Sequence, residues 1–106
     1  MKNCMLDLDK ESFFNALKSN EIVAIEFFTQ RCEPCKKLAP IMDEVAEEVG
    51  EKIFFGKFDM SKDIETPLIF RVSVAPTVCV FKNGELEKKF IGLKKKKDII
   101  KFFEKI

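Results

Sequence analysis

Cys32-Glu33-Pro34-Cys35 is the segment of this chain best equipped for chemistry. Two cysteines three residues apart share one face of a helix, so their sulfurs can close a small ring. An apolar run over residues 22–28 precedes them. A helical stripe of Leu38, Ile41, Met42, Val45 and Val49 follows. The pair therefore opens a helix, where unpaired backbone N–H groups and the positive end of the dipole stabilise an anion. Cys32, nearer the exposed end, is the expected nucleophile. Cys35, one turn into the helix, is the more buried and would resolve a mixed disulfide. The alternative is half of a metal site, which would also need Cys4 and Cys79. They stand 28 and 44 residues from the pair, and those separations match no usual second knuckle.

These residues need a scaffold. Short apolar runs alternate with helical periodicities along the chain, the pattern of an α/β fold with largely parallel strands. Asp9 can cap a first helix carrying Phe13, Ala16 and Leu17. The helix after the cysteines ends at Gly50 and keeps Asp43, Glu44, Glu47 and Glu48 on its polar side. Pro40 lies inside it, removes a backbone bond to Lys36 and should kink it. Residues 53–58 read as a strand, and Thr66-Pro67 as the N-cap and first-turn proline of a short helix through Leu68, Ile69 and Phe70. Residues 77–81 form another strand, Asn83-Gly84 a hairpin turn, and residues 85–91 a charged edge strand. A last helix carries Ile99, Phe102, Phe103 and Ile106 on one face. With a first strand at about residues 3–6, the order is βαβαβαββα, read as one domain over residues 1–106.

Composition narrows the chemistry. A chain of 106 residues suits one core. Nineteen basic against 18 acidic residues leave a net charge of +1, so no global field draws it to nucleic acid or an anionic membrane. The longest apolar runs, Ile22-Val23-Ala24-Ile25 and Val78-Cys79-Val80-Phe81, fall far short of a membrane span, and the start lacks the apolar core of a signal peptide. The expected setting is cytoplasmic and reducing. There, four cysteines argue for redox or metal chemistry rather than a disulfide framework. There is no His, which excludes serine–histidine and cysteine–histidine hydrolases. Glu26 and Lys57 each interrupt an apolar strand. A carboxylate among Ile25, Phe27 and Phe28 costs free energy unless it is paired or protonated. The plainer reading has both side chains facing solvent at strand ends.

Over nearly its full length the sequence resembles the thioredoxin family. The resemblance rests on the Phe27-Phe28 strand end, Cys32-x-Pro34-Cys35-Lys36, Pro40, Val74-Ala75-Pro76-Thr77, the Asn83-Gly84 turn and Gly92. It implies the thioredoxin fold, an α/β architecture with a mixed five-stranded sheet flanked by helices on both faces. It also implies a monomeric thiol–disulfide oxidoreductase that reduces protein disulfides by dithiol–disulfide exchange. Such a protein binds no cofactor or metal and draws electrons from a reductase using FAD and NADPH. The family usually has an Asp where Glu26 stands, shuttling the proton of the resolving cysteine. Glu26 would do so for Cys35, with Lys57 holding the carboxylate by charge. The Ala75-Pro76 bond would be cis and would present the Ala75 backbone to a substrate strand, with Gly92 and Leu93 completing an apolar rim.

The departures fall at Arg31 and Glu33, where the family usually has Trp and Gly. With Pro34 they form the substrate-facing edge of the pair. Arg31 favours the Cys32 thiolate and Glu33 disfavours it, each by roughly 0.6–2.4 kcal/mol at ~7 Å, and the sign of the sum stays open. Cys79 is read as core packing, Cys4 as incidental, and the lysine run 94–97 as a solvated helix start. Two other readings remain: a glutaredoxin-like or oxidase-like member with a different electron donor, and a binding module that holds a partner without turnover.

Overall fold

The computed structural model describes residues 5–104 and 106. Its elements in chain order are β1 (Leu6–Leu8), α1 (Lys10–Ser19), β2 (Ile22–Phe28), α2 (Glu33–Val49), β3 (Ile53–Asp59), α3 (Glu65–Ile69), β4 (Thr77–Lys82), β5 (Glu85–Ile91) and α4 (Lys96–Phe103). The strands form one sheet in the order β1-β3-β2-β4-β5. β3 runs parallel to both β1 and β2, while β2–β4 and β4–β5 are antiparallel. This is the mixed five-stranded sheet that the family resemblance implies, with two antiparallel pairings where the residue pattern alone suggests largely parallel strands. Asn83 and Gly84, with φ of 53° and 83°, make the tight turn that joins β4 to the edge strand β5.

Strand alternation sorts the sheet into two faces. Ala24, Phe55, Val78 and Val80 pack against Leu38, Met42, Val45 and Ala46 of α2 and against Ile99 and Phe103 of α4. Val23, Ile25, Phe27, Phe58, Cys79 and Phe81 pack on the other face with Phe13 and Leu17 of α1. Helices thus cover both faces, which is why β2 is almost continuously apolar. Phe13 sits at the centre of the α1 side. Its ring meets those of Phe14, Phe27, Phe58, Phe70 and Phe81 edge-on, with centroids 5.0–6.0 Å apart.

The helix ends show how local chemistry places these elements. Asp9 caps α1 through a reciprocal box. Its carboxylate accepts from the Ser12 N–H at 2.9 Å, and the Asp9 N–H donates to Ser12 Oγ at 2.9 Å. At α3 the expected cap is displaced. Thr66 lies inside the helix, and the Asp63 carboxylate accepts from both its N–H and its hydroxyl, at 3.0 and 2.6 Å. The hydroxyl is thus a donor to a charged acceptor rather than a cap, and the N-cap position falls at Ile64.

β1 also starts later than expected, at Leu6, because its register is set by pairing with Gly56 of β3 rather than by its own sequence. Residues 3 and 4, part of the expected strand, lie outside the described residues. The lysine run is only partly solvated, since Lys96 bridges Glu44 and Glu48 of α2 and ties α4 to that helix.

Truncating the ring at the centre of the α1 face tests this packing. Phe13→Ala should cost about 3–5 kcal/mol in denaturant-induced unfolding, the range for a fully buried aromatic. A loss below about 1 kcal/mol would mean that the cluster collapses onto the gap.

Candidate active site

The first turn of α2 is built around sulfur. Cys32 is the N-cap, with extended backbone, and its Sγ accepts the Cys35 N–H at 3.2 Å. The Cys32 carbonyl accepts the Lys36 N–H at 3.2 Å, starting the helical ladder. Pro34 falls in the first turn, where its missing N–H leaves no donor unpaired. Cys32 and Cys35 are joined as a disulfide with Cα atoms 5.2 Å apart. Cys32 is half-buried, whereas Cys35 is 4% exposed, so the outer sulfur can be reached and the inner one is covered. Arg31 and Glu33 are both exposed, and Glu33 pairs with Lys36 Nζ at 3.4 Å.

The sheet brings the rim residues to the same end. Phe27 pairs with Thr77, which pairs with Ile91. The loop to Cys32 leaves β2 there, Ala75-Pro76 enters β4 there, and Gly92 and Leu93 leave β5 there. The Ala75–Pro76 bond is cis. The Pro76 carbonyl accepts the Gly92 N–H at 2.9 Å, which joins the two loops. The Thr77 hydroxyl donates to the Val74 carbonyl at 2.7 Å. Val74, Ile91 and Leu93 leave apolar surface exposed at this end.

Glu26 lies behind the pair on the α2 side of the sheet, in register with Lys57. It is 2% exposed, which disposes of the solvent-facing reading, and its Oε1 has no hydrogen-bond partner. With Cys35, Lys57, Ala39 and Lys36 it lines a cavity of about 180 Å³. Burial pushes its pKa from 4.5 up to about 7; Lys57 pulls it down and Asp43 pushes it further up.

Two of these features are not reached by the sequence reasoning above. Lys57 makes its ion pair with Asp7, at 3.8 Å, rather than with Glu26. Asp43 acts on the carboxyl from α2. A signal for Asp43 is present in the sequence, because Cys35, Ala39 and Asp43 recur every four residues and so share a stripe.

Cys79 packs on the α1 face, across the sheet from α2, so it cannot join the pair in a ligand set. Burial pushes its thiol up to about 12 and keeps it neutral. Among the described residues no group of three or more His, Cys, Asp or Glu could hold a metal ion, and no helix is long and apolar enough to cross a membrane. Cys4 lies outside the described residues.

A mixed sheet covered on both faces, with two cysteines closing the first turn of the helix after a central strand, defines a thiol–disulfide redox fold. Comparison gives the particular family. The thioredoxin family model matches residues 4–105. A thioredoxin from Acidithiobacillus ferridurans is 31% identical over 105 residues, covering 98% of this chain and 97% of its own length. A thioredoxin from Rickettsia typhi is 37% identical over 95 residues, covering 89% and 90%. The fold matches that of a mutant thioredoxin from Halobacterium salinarum with a TM-score of 0.88, covering 97% of this chain and 90% of that one at 21% identity. The chain belongs to the thioredoxin family, a family of protein-disulfide oxidoreductases.

The buried carboxyl makes a pH signature in stability. Because its folded pKa lies above the ordinary 4.5, the folded chain holds more protons than the unfolded chain between there and about 7. Stability should therefore fall as pH rises through that window, by on the order of 3 kcal/mol at 1.36 kcal/mol per pKa unit. Urea unfolding of the oxidised protein should show this fall, and Glu26→Gln should flatten it. An identical decline in the variant would locate the titrating group elsewhere.

Proposed function

We propose that Cys32 attacks substrate disulfides, that Cys35 releases the reduced product, and that Glu26 moves the second proton. The observation that carries this reading is the sulfur pair at the N-terminus of α2, with the outer sulfur accepting a helix amide. In the reduced protein the same amides and the helix dipole would favour a thiolate at Cys32.

The exchange balances in two steps. The Cys32 thiolate attacks one sulfur of the substrate disulfide, forming a mixed disulfide, and the other substrate sulfur leaves and takes up a proton. Cys35 then gives its proton to the Glu26 carboxylate across their shared cavity, which has room for water at ~30 Å³ per molecule. The Cys35 thiolate attacks Cys32 Sγ, the mixed disulfide breaks, and the second substrate thiol is freed. Two electrons pass to the substrate and the Cys32–Cys35 bond remains. A carboxyl with a pKa of about 7 is suited to accept and return a proton near neutrality. Lys57 supplies positive charge to the ionised state of that carboxyl.

Substrate chains would lie over Arg31, Glu33, Pro34, Ala75, Pro76, Gly92 and Leu93. The common sheet end of these residues and the exposed apolar surface there support that placement. Regeneration would come from a reductase carrying FAD and using NADPH, in line with the family. We infer that residues 1–106 act as one monomeric domain in the cytoplasm. A buried unpaired thiol at Cys79 beside a single redox pair suits a reducing compartment.

Trapping tests the roles directly. Cys35→Ser should accumulate mixed disulfides through Cys32 when mixed with oxidised protein substrates, and Cys32→Ser should accumulate none. Glu26→Gln should slow resolution at neutral pH by roughly 10²-fold, the lower end of what a general acid–base group contributes. If Cys35→Ser trapped nothing and the unaltered protein reduced no protein disulfide, a binding role without turnover would replace this one.

A further inference from the structure

Asp7, Lys57 and Glu26 form a row across three neighbouring strands. Asp7 of β1 pairs in register with Lys57 of β3, which pairs in register with Glu26 of β2. In-register residues of adjacent strands project to the same face, here the face that α2 covers. Lys57 therefore stands between two carboxyl groups, one exposed and one buried. Its ammonium lies 3.8 Å from Asp7 Oδ1 and makes no ion pair with Glu26 among the described residues.

We propose that Asp7 is a positioning residue that holds Lys57 toward the edge of the sheet and so keeps Glu26 protonated at higher pH than the lysine alone would allow. The competition follows from solvation. The Asp7 side chain is 81% exposed, whereas Glu26 is 2% exposed and must give up water to ionise. The ammonium can approach the buried carboxylate only by leaving Asp7. Ionisation of Glu26 is thus opposed by the pair it would disrupt.

The other charged or titratable groups facing Glu26 come from α2. Asp43 also disfavours its ionisation, Lys36 is engaged by Glu33, and Cys35 is the thiol it serves. Its β4 neighbour, Val78, carries no charge. Asp7 is the group in this set that acts on Glu26 through a second residue.

This inference rests on the reading of Glu26 as the proton carrier for Cys35, and the two can be tested apart. The carboxyl carbon of Glu26 can be followed by NMR through a pH titration of the isotope-labelled oxidised protein. Asp7→Asn should lower its midpoint by about one unit, the effect of an opposite charge released to within reach. Asp7→Glu should restore the midpoint. In a Lys57→Met background, which keeps the half-buried stem and removes the charge, Asp7→Asn should move the midpoint much less. A midpoint unmoved or raised by Asp7→Asn overturns the tether, as does an equal shift with and without Lys57. If the midpoint falls while the pH profile of disulfide reduction stays fixed, the tether stands and the role of Glu26 in proton transfer fails.

Discussion

A helix whose leading end is capped by sulfur is the constraint on which this site depends. α1 takes an oxygen cap from Asp9, and α3 has its first-turn amide satisfied by Asp63. At α2 the N-cap is Cys32, and the Cys35 amide points at its sulfur. An oxygen there would already satisfy the amide. Sulfur is a weaker acceptor when neutral and a much better one when ionised, so the helix end favours the charged form of the reactive group. The donors are fixed before any reaction occurs, so no reorganisation is needed when charge develops. What fixes them is distant from the sulfur. Leu38, Met42, Val45 and Ala46 seat α2 on the sheet, and Lys96 clamps its far half to α4 through Glu44 and Glu48.

The second constraint is the sheet itself. Covering both faces makes β2 apolar along its length, and a carboxyl placed in such a strand cannot ionise at its ordinary pH. Glu26 is tolerated because it can stay protonated, and a pKa raised to about 7 leaves it able to change protonation state near neutral pH. Cys35 and Cys79 illustrate how position decides reactivity. Both sulfurs are buried, but Cys35 shares a cavity with the Glu26 carboxyl and has a bonded partner. Cys79 packs among the aliphatic and aromatic side chains of the α1 face and has neither. Among the described residues, one pair of sulfurs is thereby placed for the exchange chemistry of the family.

Much of this is legible in the sequence, for reasons that differ by element. α1, α2 and α4 are readable because their apolar residues recur at helical spacing over two or more turns. β2 and β5 are readable from an apolar run interrupted at Glu26 and from a hairpin turn followed by a charge-rich edge strand. The cysteine pair, Pro76 and Gly92 emerge from local motifs and the family resemblance they carry. What escapes the sequence depends on partners distant in the chain. The register of β1 is set by Gly56, and Lys96 finds its acidic partners about fifty residues earlier, as its 52-residue separation from Glu44 shows. Thr66 has the residue type of a cap, yet it lies inside the helix and donates both its N–H and its hydroxyl to Asp63. Glu26 and Lys57 stand out as unusual, but the diversion of Lys57 to Asp7 requires knowing that β1 lies beside β3.

The most direct measurement is the ionisation of Cys32 in the reduced protein, read as the pH dependence of its alkylation rate with the modified residue assigned by mass spectrometry. Sulfur at the leading end of α2 should ionise with a midpoint at least one unit below the ~8.5 of free cysteine. A midpoint at or above that value would show that the helix end does not activate the sulfur.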